Sequence, residues 1–434
     1  MSTKSVNLNR RSYWEHPYFS WGIFGMLAML FLLNRSPYPG FDDGMGFLLE
    51  AESGFNFHTN ATNHFLYINL SHLLVKLFFF IPAVWVLTLL PIFFSLAALW
   101  RVYQIGKLFV APNLVALMPV IILGLSFTFW QQTEIIEVYA FNNYLFLSFI
   151  YFAFKDILRG KRQHFLFVSL FLGIGLLTHI QNILSLPFFL FYIFSKNELK
   201  LGQKVLSTLI VAALFFILFI PALFFDLNSI SEIFFDRKFR GNVLGFDIMT
   251  LLTGMQKGMI YMAYNFHLFL LFIMFGWFRM WKVRRSMFYI FLLITLPYLG
   301  FAIKYNVNDN HVFFLIANII LVIPSLFTFE FLAMKLLPYM TWMLPMMFMM
   351  SPMIYGAATI MTPGKVDLVT RYDQEKAYKG GAVHLLWPGK AWAKDPLKLA
   401  EKIYLKDPTA YSRGEIEWNY PAAIEYLKLK GRIK

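Results

Sequence analysis

The sequence specifies an all-α protein that crosses a membrane about eleven times when read with a window of about twenty residues. Hydrophobic residues make up 59% of the 434 and charged residues only 14%, against about a quarter in soluble domains, and the mean hydropathy is +0.59. The apolar stretches must be helices, because unpaired backbone in lipid costs several kcal/mol per group. The remaining charges gather between the stretches, and the basic ones recur at alternate turns, as cytoplasmic loops do.

The spans are expected at 18–34, 82–100, 110–129, 138–154, 164–180, 182–195, 205–225, 258–278, 287–303, 311–329 and 337–355. Arg10 and Arg11 precede the first, which has no small-x-small cleavage site before Arg35. It reads as a retained signal anchor with the N-terminus in the cytoplasm. The loop from Ser36 to Val75 holds Asp42, Asp43, Glu50 and Glu52 and no lysine or arginine, so it belongs on the far side. A helix over Gly44–Ala51 follows the aspartates. Phe65 to Phe80 is apolar but contains Asn69, His72 and Lys76, and is expected to lie along the interface. Leaving it out of the count puts Arg101, Lys107, Lys155–Arg162, Lys196–Lys204, Arg279–Arg285 and Lys335 all in the cytoplasm; counting it inverts them all.

An odd number of crossings leaves the C-terminus outside. Residues 1–355 form the membrane domain. Residues 356–434 form a small charged segment with five prolines from Pro363 to Pro421. Short helices are expected in it near Asp395–Tyr404 and Ala422–Lys430. It is too small for a sizeable soluble domain, and serves either as a lid on a site or as a dock for a partner.

Composition also excludes chemistry. With no cysteine there is no disulfide, thiolate nucleophile or cysteine-ligated metal. The net charge of +14 sits mostly in short loops and the tail, where it matches topology signals and anionic headgroups rather than nucleic acid. No Gly-rich phosphate loop is present. The 51 phenylalanines and 21 methionines are packing and lipid-facing material. Side chains with chemical potential collect on the outward side. They are Asp42 and Asp43; the run Trp130 to Tyr139 with Glu134 and Glu137; the turn Thr178–Asn182 with His179; the basic group Arg237, Lys238 and Arg240; and Lys304–His311 with Asp309 and His311.

The run Phe129-Trp130-Gln131-Gln132-Thr133-Glu134-Ile135-Ile136-Glu137-Val138-Tyr139-Ala140-Phe141-Asn142 resembles the Glu-Val-Tyr signature of the DUF2723 family. Those proteins are polytopic glycosyltransferases of the GT-C type, related to protein O-mannosyltransferases. Three further segments follow the family's order: Asp42-Asp43-Gly44, Gly173 to His179 with Gly175, and Val307 to Leu315 with Asp309, Phe313 and Phe314. Together they cover residues 15 to 330. The first loop departs from the pattern. The family's Asp-Ser-Gly-Glu is Asp42-Asp43-Gly44-Met45 here, and its His-Pro-Pro-Gly run shrinks to Asn63-His64-Phe65-Leu66-Tyr67.

The resemblance implies a GT-C-like fold. It also implies transfer of a sugar, a hexose such as mannose, from a polyprenyl-phosphate donor to a hydroxyl on protein or glycan, with inversion, outside a bacterial cytoplasmic membrane. It makes a first-loop aspartate the base. A carboxylate within reach of a hydroxyl raises the rate by about 10²–10⁴. Asp43 is preferred, because Gly44 behind it allows close backbone approach, with Asp42 next to it; capping of the following helix is the plain alternative. Arg237, Lys238 and Arg240 would hold the leaving phosphate through planar forks and charge, or only attract headgroups. Glu137, Glu134, Tyr139, His64, His179, Asp309 and His311 would bind substrate. Asp309 and His311, with Asp42, are the candidates for a divalent cation such as Mg or Mn, on a spacing that is weak for a metal. A transporter or lipid flippase is the second reading, and no inverted repeat of broken helices favours it in the sequence. A non-catalytic membrane scaffold that keeps the fold is the third.

Overall fold

The computed structural model describes residues 17–40, 43–195, 199–227, 229–235, 240–245, 247–305, 307, 309–377, 380–389, 395–409 and 420–434, with backbone alone at 17 and 336–341. Asp42, Arg237 and Lys238 lie outside the described residues. Among those described there is no strand.

The chain opens with α1 (Pro17–Asn34), then α2 (Gly44–Ser53) and α3 (Phe65–Leu77) in the first loop. At 13 residues α3 is about 20 Å long, too short to cross an apolar layer of about 30 Å. The bundle continues with α4 (Ala83–Phe109), α5 (Asn113–Gly124), α6 (Phe127–Glu134), α7 (Tyr139–Arg159) and α8 (Phe165–Thr178). A short 3₁₀ turn, Ile180–Ser185, leads into α9 (Leu186–Phe194) and then α10 (Leu201–Phe216). Helix α4 packs along α7, α7 along α8, and α8 along α10. At one end Asp156 of α7 locks the start of α8 and the helix α9 to it, accepting bonds from His164 Nδ1 (2.6 Å), His164 N (2.9 Å) and Tyr192 Oη (2.6 Å).

Three short helices follow, α11 (Ile220–Phe224), α12 (Ile230–Phe234) and α13 (Arg240–Leu244). Next come α14 (Ile248–Phe266), α15 (Phe269–Val283), α16 (Arg285–Lys304), α17 (Leu315–Val322) and α18 (Ser325–Met361). The tail holds α19 (Asp367–Glu375), α20 (Gly381–Leu386), α21 (Pro396–Lys406) and α22 (Tyr420–Leu429). Both tail helices expected from the sequence form. Asp395 starts α21 by accepting from Leu397 N (3.0 Å) and Lys398 N (3.2 Å), satisfying donors that a helix start leaves open.

By length and apolarity, five helices among the described residues can cross a membrane, or seven if each of two bent pairs is one span. The count of about eleven is therefore not reproduced. The expected span 110–129 is broken: α5 and α6 meet at 71°. The expected span 258–278 is broken too: α14 and α15 meet at 105° around His267, whose φ is +41°. The spans at 164–180 and 182–195 appear as shorter apolar helices. The turn expected near Lys335 does not form, and α18 runs through it for 37 residues, about 55 Å. The good helix formers Leu332, Ala333, Met334 and Lys335 give the chain no reason to stop at the lysine.

The two breaks meet. Asn265 Oδ1 accepts from Thr128 N, an open donor of α6 (2.8 Å). The fully buried Tyr355 Oη stands 3.2 Å from both Leu125 O and Asn265 O, one carbonyl at each break. Helix α18 thus ties together two elements that bend without an obligatory breaker at His267.

Candidate functional site at the first loop

The sequence motifs converge at one end of the bundle, hereafter the site face. Ser36 N donates to Glu134 O (3.1 Å), joining the first loop to the end of α6. Asn182 Nδ2 reaches Asn142 Oδ1 (2.5 Å), Gly175 O (2.8 Å) and His179 O (3.1 Å). A Cβ on Gly175 would lie 3.3 Å from the Asn182 side chain, so the glycine makes room for this tie. One amide thus connects the end of the Glu-Val-Tyr segment to the turn that carries His179.

Asp43 stands at the N-cap of α2 with helical backbone angles, and its side chain does not cap the helix. Tyr139 is the hub of the cluster. It is buried at the start of α7 and lies within electrostatic reach of Asp43, Glu137, Asp309 and Tyr305. Its ring is 5.7 Å from His179 and 6.4 Å from Phe313. His64 and His179 face each other at 4.9 Å, and Phe47 closes on His64 at 5.9 Å. His64 takes a left-handed backbone, φ +50°, a strained state that places its ring against the turn. Burial pushes the His64 pKa down to about 4, so the imidazole is neutral.

Asp309 sits in the loop after α16. That loop is ordered by the buried Asn310, whose Nδ2 bonds Ala302 O (2.8 Å) and Tyr305 O at the helix end. Solvent reaches Asp309, yet the recess around it disfavours its charge and raises its pKa.

The remaining candidates divide. Glu137 is buried and within reach of Tyr67 as well as Tyr139. Glu134 is fully buried at the end of α6 and turned to Trp130, whose Nε1 donates to Oε1, a structural bond. His311 Nε2 is bonded to Gln131 Oε1 at 3.0 Å, and among the described residues no group of three or more histidine, aspartate or glutamate side chains is placed to hold a metal ion. Arg240 begins the exposed helix α13. Lys304 Nζ anchors that helix beside the Asp309 loop through Val243 O (2.6 Å).

Sequence reasoning passed over Glu50, Tyr67 and Tyr305. Desolvation, and after it the charge of Asp43, drives Glu50 up to about 7, against a bond from Asn56 that works the other way. Its signal was present: Glu50 lies seven residues after Asp43, two helical turns, and so on the same face. Burial, and then Glu137, raises the Tyr67 hydroxyl pKa.

The C-terminal tail closes over this face. Met45, two residues past Asp43, is fully buried against Ala400, Tyr420, Ala423, Ile424 and Leu427. Tyr426 Oη bonds Glu52 Oε1 (3.0 Å), and Lys430 pairs with Glu52 Oε2.

No protein-family model matches the chain, and no characterised protein matches its sequence. Solved structures do. The apo oligosaccharyltransferase of Archaeoglobus fulgidus is similar with a TM-score of 0.55 at 12% identity, over 94% of this chain and 61% of that one. The same archaeon's oligosaccharyltransferase AglB, in complex with an inhibitory peptide and a dolichol-phosphate, gives 0.54 at 13%, over 93% and 60%. The first of these oligosaccharyltransferases, in its complex with Zn and sulfate, gives 0.53 at 11%, over 90% and 56%. The chain thus spans about three fifths of the length of the proteins it matches. Identity this low speaks for the fold alone: the helices are arranged like the part of the archaeal oligosaccharyltransferases that this chain covers.

Proposed function

We propose that this chain is a GT-C-type glycosyltransferase of the DUF2723 kind, related to protein O-mannosyltransferases. It moves a sugar, a hexose such as mannose, from a polyprenyl-phosphate donor to a hydroxyl on protein or glycan, outside a bacterial cytoplasmic membrane and with inversion. The observation that carries this reading is the gathering of Asp43, Glu137 and Asp309 around Tyr139 on a GT-C-like fold. Asp43 is the base. Its carboxylate stands at a helix start without capping it, and would take the proton of the attacking hydroxyl. Glu137, Tyr139, His64, His179 and Asp309 shape the sugar site. Arg240, with Arg237 and Lys238, meets the leaving phosphate, a role supported by the tether of α13 next to the Asp309 loop. The solved AglB complex holds a dolichol-phosphate, which supports a lipid-linked donor here.

One observation favours the second reading, a transporter or flippase: two spans are broken, at 71° and 105°, as transporter helices often are. Purified chain in liposomes, given mannosyl-phosphoryl-polyprenol and a hydroxyl acceptor, separates the two. Release of polyprenyl phosphate with sugar on the acceptor supports the transferase. Movement of the intact donor between leaflets, with no release, supports the flippase.

A further inference from the structure

A cleft of about 350 Å³ opens beside the first loop, lined by Glu50, Phe55, Asn56, Phe57, His58 and Leu227 among others. Its volume lies in the range of small-ligand pockets. Its wall is built rather than loose. Asn69 Oδ1 accepts from Asn56 N (3.0 Å), and Asn69 Nδ2 returns a bond to Asn56 O (2.8 Å). Asn56 Oδ1 accepts from His58 N (2.9 Å), and just past the cleft Thr59 Oγ1 donates to Leu218 O (2.5 Å), fastening the end of the loop. Phe55 and Phe57 nevertheless stand 53% and 58% exposed, and Glu50 Oε2 has no partner among the described residues.

The geometry points to a carbohydrate subsite: the cleft takes a neutral, hydroxyl-rich sugar unit of the acceptor, laid along α2 with its reacting end at Asp43. Glu50 lies two turns from Asp43 on the same helix face, about 10 Å along the axis, room for about two pyranose rings. Exposed phenyl rings suit the C–H faces of a sugar. A carboxyl, an amide and an imidazole suit its hydroxyls. Among the described residues no lysine or arginine lines the cleft, which does not suit the donor phosphate. A lipid ammonium would also favour aromatic rings and a carboxylate. Glu50, however, is held near 7 by burial, half neutral at that pH, which weakens it as a counter-ion and lets it both donate to and accept from a hydroxyl.

This inference rests on the transferase reading for its acceptor, but binding is testable without turnover. The full chain in sugar-free nanodiscs is given mannobiose, chitobiose and methyl β-glucoside, and saturation transfer from aromatic protons is read by NMR. At least one saccharide is expected to be saturated, and Phe57→Ala and Glu50→Ala are each expected to weaken that binding by about tenfold. Saturation of none of the three, signals unchanged in both variants, or displacement by choline overturns the carbohydrate assignment. Donor turnover in the same nanodiscs is scored separately. Turnover that Asp43→Asn abolishes, beside a cleft that binds no saccharide, sinks the subsite and keeps the transferase. Saccharide binding without any turnover does the reverse.

Discussion

Asp43 occupies a position where a carboxylate usually does nothing more than cap a helix, and here it does not cap. Asparagine keeps its size and polarity but accepts no proton. Asp43→Asn is therefore expected to lower sugar transfer by about 10²–10⁴, or about 3–5 kcal/mol of barrier, with an unchanged melting profile. A full-rate Asp43→Asn enzyme would move the base to another residue. Glu50 and His64 give opposite pH dependences. Glu50 is protonated in folded and unfolded chain below its ordinary 4.5; as pH rises to about 7 only the unfolded chain ionises, so its contribution is progressively lost. The loss amounts to about 3 kcal/mol or slightly more, and Glu50→Gln should raise thermal stability at pH 8 but little at pH 4.5. His64 is neutral in both states above 6.5. Between 6.5 and about 4 the unfolded chain binds the proton first, and stability falls as the pH falls. His64→Gln is expected to flatten that acid limb in thermal melts. The sequence singled out Asp43, Glu137 and Asp309 because acidic side chains are few in so apolar a chain, 24 in 434 residues, and Tyr139 and His179 because they stand in the motifs that resemble the family. It did not separate Glu134 from Glu137, since two glutamates on one short segment differ in role only through what lies across from them: Trp130 for one, Tyr139 and Tyr67 for the other.

At the scale of elements, the tail is joined to the helix that begins at Asp43. Leu427 is fully buried against Met45, and Leu427→Ala is expected to cost about 2–5 kcal/mol of that contact. Limited proteolysis would register it as early cleavage in the tail while the bundle stays intact. Equal resistance in variant and parent would show that the tail docks by other means. The tail helices were legible because Asp395 and the apolar spacing after it are local signals. The two broken spans were not, since their cause is remote. No glycine or proline marks His267, and its bend is held by Thr128 and Tyr355, which are far away in sequence. The uninterrupted α18 was hidden for a different reason. A single lysine is a topology signal, not a helix stop.

For the molecule as a whole, the charge pattern predicts sidedness, and the structure supplies a check that does not depend on charge. Glu52 of the first loop meets Tyr426 and Lys430 of the tail, so both belong to one face. Reporters fused after Gly54 and after Lys434 should therefore agree with each other and disagree with one fused after Lys161. Agreement of all three would overturn the topology. The fold class was readable from composition because lipid leaves the backbone few options; the number of crossings was not, because a bent pair and a straight span have the same hydropathy. Tyr355 has a consequence for how the chain is made. A ribosome delivers Leu125 and Asn265 to the membrane long before Tyr355, so both bends wait with carbonyls whose eventual partner has not been synthesised. Unpaired groups in lipid cost several kcal/mol each, and nascent chains halted before Tyr355 are expected to remain bound to the insertion machinery or be degraded. Chains halted after Met361 should be released, with Tyr355→Phe delaying that release. Fixing of the two bends is thus set by α18, which leaves the ribosome after both of them, and quality control of this protein is a matter of timing.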